Sequence, residues 1–144
     1  ERTNFRYSKP TDFLEGLPQV ATIDVSFISL SLILPPLYEI LVADGDVMAL
    51  IKPQFEAGKE FVGKHGIVKD PKVHQAVIEK VIDLSLETGF SVENLSFSPI
   101  TGGEGNIEFL IHLKKASLPA SVSSNVDVTE VVRQAHERLE NSES

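Results

Sequence analysis

Two carboxylates and one amine stand out because each sits at the border of a short apolar run. Asp24 lies in Ile23-Asp24-Val25-Ser26-Phe27, Lys52 in Ile51-Lys52-Pro53-Gln54-Phe55-Glu56, and Glu108 in Asn106-Ile107-Glu108-Phe109. Charges among apolar neighbours are costly to bury unless paired, and one lysine between two carboxylates can be paired. Spacing alone goes no further than that pairing. Each of the three, taken singly, also reads as a solvated charge flanking a strand. Only their convergence makes a site.

The elements that must bring them together follow from the hydrophobic pattern. Val20 to Val25 is short and β-branched, which predicts a buried strand. Ser29 or Ser31 can cap a following helix, with Pro35 and Pro36 tolerable only near its first turn. Leu37, Ile40 and Leu41 continue it, and Asp44-Gly45 stops it. Asp46 to Ile51 is a second strand, nearly continuous in apolar residues as in a sheet covered on both faces. Lys52 to Asp70 reads as a long polar loop, and loops of that length are often functional.

Pro71 opens the clearest helix, with Val73, Ala76, Val77, Val81 and Leu84 at helical spacing and Gly89 as its stop. Phe90 to Ser98 and Ile107 to Leu113 predict two further strands around a glycine-rich turn, an antiparallel hairpin. The order strand, helix, strand, helix, strand, strand is the second half of a doubly wound α/β sheet, mostly parallel and finished by an antiparallel last strand at its edge. Ligands bind beyond the C-terminal ends of parallel strands in such sheets. Asp24 and Lys52 belong to that edge, and an antiparallel strand starting there brings Glu108 to it. Residues 116–124 read as a linker and 127–139 as a peripheral helix.

A chain of 144 residues with 42% hydrophobic residues can build one core. Its net charge of −8 argues against nucleic-acid binding through the global field. Contact with a polyanion is then expected from a local patch, and residues 52–72 offer one. Five lysines (Lys52, Lys59, Lys64, Lys69, Lys72) face three acids (Glu56, Glu60, Asp70), a local +2. Cysteine is absent and the four histidines lack ligand spacing, so no metal is expected. Phe27 to Ala43 is broken by Ser29, Ser31, two prolines and Glu39, so it does not read as a membrane span.

Several strings carry a resemblance. Glu1-Arg-Thr-Asn-Phe-Arg6, Ile23-Asp-Val-Ser-Phe-Ile-Ser-Leu30, Ile51-Lys-Pro-Gln-Phe-Glu56, residues 62–71 and Ser98 to Phe109 resemble, in order, the TlyA (hemolysin A) family of FtsJ-like methyltransferases. The likeness runs from Glu1 to about Lys115. His65 departs from it, standing where the family's string has a glycine.

The resemblance implies a Rossmann-like methyltransferase domain over residues 1–115, with 116–144 as an appended linker and helix. It implies S-adenosylmethionine as cofactor and 2′-O-methylation of ribose in ribosomal RNA, in the cytoplasm. Asp24, Lys52 and Glu108 match the last three members of the Lys-Asp-Lys-Glu catalytic set. The first Lys and the glycine-rich cofactor loop are expected before Glu1, so this chain alone is expected to be incomplete and inactive. Asn4 and Asp24 match cofactor-facing positions, and Lys59, Lys64 and Lys69 are the candidates for RNA phosphate. The expected partner is ribosomal RNA or a ribosomal subunit, not a membrane. Two other readings stay open: a membrane-active cytolysin, and a non-catalytic RNA- or ribosome-binding domain that has lost its cofactor site.

Overall fold

A computed structural model describes residues 5–7, 20–24, 28–63, 66–101, 105–117 and 119–141. Asn4, Lys64 and His65 lie outside the described residues. The described strands form one sheet in the order β1-β2-β3-β5-β4, from β1 (Phe5–Tyr7), β2 (Val20–Ile23), β3 (Asp46–Ile51), β4 (Ser91–Phe97) and β5 (Phe109–Lys114). β2 and β3 pair in parallel, whereas β1 with β2, and β5 with both β3 and β4, pair antiparallel. Strands β2, β3 and β4 therefore run one way, and β5 returns between two of them.

That insertion differs from the edge position expected for the last strand. β5 has every second residue fully buried and finds backbone partners on both sides, from Asp46 to Ile51 and from Ser91 to Phe97. The outer strand is instead β4, which is irregular between Val92 and Asn94 and partly covered by a parallel bridge from Val92 to Val122. A kinked, covered outer strand offers less template for unwanted pairing.

Helix α1 (Leu30–Ile40) starts at Ser29, whose hydroxyl accepts from the Ser31 amide. Its two prolines stand in the second turn rather than the first, so the carbonyls of Ser31 and Leu32 have no helical donor. At the other end Lys115 Nζ donates to the carbonyls of Tyr38 and Leu41 at 2.6 and 2.9 Å, filling acceptors that a helix C-terminus leaves open. Helix α3 (Pro71–Thr88) has the ends its sequence signals. Asp70 accepts from the Lys72 amide, Pro71 occupies the first turn, and Gly89 closes it at φ 118°. A Cβ on Gly89 would also come within 2.8 Å of the Tyr38 ring, so both conformation and space demand glycine there.

Residues 52–70, expected as a loop, contain two short pieces of helix: α2 (Pro53–Glu56) and a 3-10 turn over Lys59–Phe61. Helix α4 (Val128–Asn141) places Val132, Ala135 and Leu139 in the same core as Ile78, Phe90 and Phe109. His136 on α4 lies 2.8 Å from His74 on α3, whose other nitrogen is 2.9 Å from the Val68 carbonyl. The tail after residue 115 is thus packed against the sheet unit through α3 and β4.

Candidate active site

Because β2 and β3 are parallel neighbours, the residues that follow them emerge side by side. Asp24 follows β2 and Lys52 follows β3, and Lys52 Nζ lies 2.5 Å from Asp24 Oδ1. The lysine side chain is 14% exposed and the aspartate 60% exposed. An ion pair with one well-hydrated member adds little to stability. Its effect is to aim the amine.

Glu108 immediately precedes β5. The antiparallel register pairs Ile51 with Phe109, so continuing it by one residue sets Glu108 across from Lys52. Glu108 is only 6% exposed, and its backbone carbonyl accepts from the Ser98 amide at 2.9 Å. Its carboxylate takes a hydrogen bond from Gln54 Nε2 at 3.1 Å. All three sequence candidates therefore lie at the edge where β2 and β3 end. Lys52 is in direct contact with one carboxylate; the other stands across from it in the register and is hydrogen-bonded by Gln54.

Gln54 was not singled out by sequence. A carboxylate only accepts, so the Gln54 nitrogen must face Glu108 and the Gln54 oxygen must point elsewhere. That oxygen is buried and has no hydrogen-bond partner among the described residues. An unmet acceptor on the residue that holds Glu108 leaves room for one further donor there. Its position two residues after Lys52, within Lys-Pro-Gln-Phe-Glu, was the available signal.

Glu56 is the second residue that sequence reading passed over, as one more charge of a polar loop. It is buried, and both carboxylate oxygens are used: Oε1 accepts from Ser29 Oγ and Oε2 from the Leu30 amide, each at 2.8 Å. Burial pushes its pKa above the ordinary carboxylate value, and the hydrogen bonds from Leu30 and Ser29 and the charge of Lys80 only partly oppose this. The segment after β3 is thereby tied to the segment after β2 twice, through Lys52 with Asp24 and through Glu56 with the start of α1.

Of the lysines expected to meet phosphate, Lys59 is exposed in the 3-10 turn and Lys69 is exposed just before α3. Among the described residues no three His, Cys, Asp or Glu side chains cluster as metal ligands. His112 instead bonds Asp46 at 2.8 Å, across the β3–β5 pair. No described helix is long and apolar enough to cross a membrane.

Comparison with known proteins adds a second line. Residues 1–115 match the family described as FtsJ-like methyltransferase. The chain is 55% identical over 146 residues to "Putative rRNA methyltransferase YqxC" of Bacillus subtilis, covering 96% of this chain and 50% of that protein. It is 37% identical over 114 residues to the 16S/23S rRNA (cytidine-2'-O)-methyltransferase TlyA of Mycobacterium tuberculosis, covering 79% of this chain and 42% of that one. Among solved structures, a "putative hemolysin" from Streptococcus thermophilus superposes with a TM-score of 0.86 at 54% identity, over 97% of this chain and 50% of that one. The chain thus spans about half the length of the curated relatives it matches.

Proposed function

The chain belongs to the FtsJ-like methyltransferase family, and from that premise we propose that it carries the proton-handling edge of an enzyme that methylates ribose 2′-hydroxyls in ribosomal RNA. The observation that carries this reading is the 2.5 Å contact of Lys52 with Asp24, with buried Glu108 across from the lysine at the end of β3. A ribose hydroxyl must shed its proton as it attacks a methyl group. Lys52 is the amine in reach of this edge, and Asp24 fixes where that amine points. Glu108 sets the charge on the far side, and Gln54 holds Glu108 in place.

Cofactor binding is supported by the donor set. Asp24 keeps a largely exposed carboxylate at the strand edge, with an oxygen beyond the one used by Lys52, which fits a ligand bearing N–H donors or positive charge. S-adenosylmethionine has both, and when bound it would supply an electrophilic methyl group. Asp24 would hold its amino or adenine end.

Ribosomal RNA as substrate, and hence work in the cytoplasm, are supported by the relatives' names and by the exposed Lys59 and Lys69 in the segment that follows Lys52. The test is tritium transfer from labelled cofactor into rRNA by the intact protein as expressed from its gene. Incorporation into the ribose 2′ position supports the reading, and none under conditions where RNA binds refutes it.

A further inference from the structure

The loop after Lys52 does more than carry lysines. Ala57 and Phe61 on one side, and Lys72, Val73, Ala76 and Lys80 on the first turns of α3, line an open cleft of about 440 Å³. That is within the range of small-ligand sites. After β3 the chain is tied to the start of α1 through Glu56, and Val68 is tied to Asn106 just before β5. The lining of the cleft begins at Glu56, roughly 6 Å beyond Lys52 along α2.

Its chemistry is specific. Phe61 is 52% exposed, whereas Phe90 and Phe109 are completely buried. The floor of Ala57, Val73 and Ala76 is apolar. Of the acids in the lining, Glu56 is buried and turned to Ser29 and Leu30, whereas Asp70 accepts from the Lys72 amide through one oxygen and stays exposed. The nearby Glu60 carboxylate folds back over Gly58. Lys72 has no ion-pair partner among the described residues, and Lys80 Nζ donates to the Glu56 carbonyl at 3.3 Å while its charge also acts on the buried Glu56 carboxylate. An exposed aromatic face over an apolar floor, flanked by the Lys72 and Lys80 ammonium groups in a chain of net charge −8, suits a flat ring that carries anionic groups. A single-stranded nucleotide presents a flat base between two phosphates.

We propose that this cleft is a subsite for a nucleotide neighbouring the one that is modified, its base stacked on Phe61 and its phosphates on Lys72 and Lys80. The proposal rests on the methyltransferase reading above and adds to it how the RNA strand is gripped beside the reacting ribose. Splaying a neighbour out of the stack also frees the target ribose to enter the edge where Lys52 stands.

Steady-state methylation of rRNA by the intact protein tests it with the variants Phe61→Ala, Phe61→Trp and Lys72→Ala/Lys80→Ala, their folds checked by thermal melting. Phe61→Ala is expected to raise KM for RNA about tenfold or more, the scale of one lost base stack, with kcat and the KM for cofactor unchanged. Phe61→Trp keeps a stacking face and should stay within about threefold of wild type, an order-of-magnitude expectation on the same basis. The double lysine variant should lower the slope of log affinity against log salt by about 1.4, two single-strand phosphate contacts. An RNA KM for Phe61→Ala within twofold of wild type overturns the subsite while leaving the catalytic reading intact. So does an effect confined to self-association or to protein binding. A wild-type protein that transfers no methyl group to rRNA removes the reading on which the subsite rests.

Discussion

Lys52 Nζ lies 2.5 Å from Asp24 Oδ1, although the two residues are 28 positions apart and follow different strands. The parallel pairing of β2 with β3 makes this contact available, and the Glu56 bonds to Ser29 and Leu30 keep the two following segments together. The site is therefore a property of two strand ends and one short turn, not of a single motif.

Gln54 should matter to rate more than to binding. Gln54→Ala removes the donor to Glu108. A lost hydrogen bond to a charged group is worth about 1.5–3 kcal/mol, or roughly ten- to a hundredfold in kcat at 1.36 kcal/mol per decade. Single-turnover methylation measures it. A rate within twofold of wild type would mean that Gln54 orients nothing in the reaction.

Glu56 should make the fold sensitive to pH in a definite direction. Its folded pKa stands above the ordinary 4.5, chiefly through burial. The native state therefore holds this proton longer than the unfolded chain does. The resulting loss of stability is absent below about 4.5 and complete only once pH has risen through the folded value. Glu56→Gln keeps the shape and can still bond Ser29 and Leu30, since the serine hydroxyl can either donate or accept. Urea unfolding from pH 4 to 7 should show the variant gaining on wild type as pH rises. If wild type gains instead, the buried carboxylate is stabilising and the account of its burial is wrong.

The exposed lysines should behave as independent phosphate contacts. Lys59→Ala and Lys69→Ala are each expected to weaken RNA binding modestly and to lower its salt slope by about 0.7. Filter binding at several salt concentrations reads this directly. A slope unchanged in both variants would place the RNA backbone elsewhere.

Much of this was legible in the chain itself, and the reasons differ from residue to residue. Helix α3 announced itself because Pro71 and Gly89 each have a local job that their neighbours cannot override. Lys52 and Asp24 were legible because apolar runs end at them, and parallel strands put such ends together. Strand β5 was found, but not its place between β3 and β4, since alternation fixes which face is buried and not which neighbours lie on either side. The prolines of α1 were expected in its first turn, and the packing of Leu30, Ile33, Leu34 and Leu37 holds them in the second. Gln54 and Glu56 escaped notice because their importance lies in partners 54 and 27 positions away in sequence. No local pattern encodes that distance.

The central claim is that Lys52 handles one proton and takes little part in holding RNA. Lys52→Ala in the intact protein, assayed by tritium transfer into rRNA beside filter binding of the same RNA, separates the two. Loss of a positioned acid–base group lowers rate by about 10²–10⁴-fold, roughly 3–5 kcal/mol of barrier. The account predicts a loss of that size with RNA affinity within about twofold of wild type, since one phosphate contact among several is the most that a single lysine supplies. A variant that keeps more than about a tenth of the wild-type rate, a loss short of that range, would contradict it. The domain would then be a binding module in which the pair with Asp24 only shapes the strand edge.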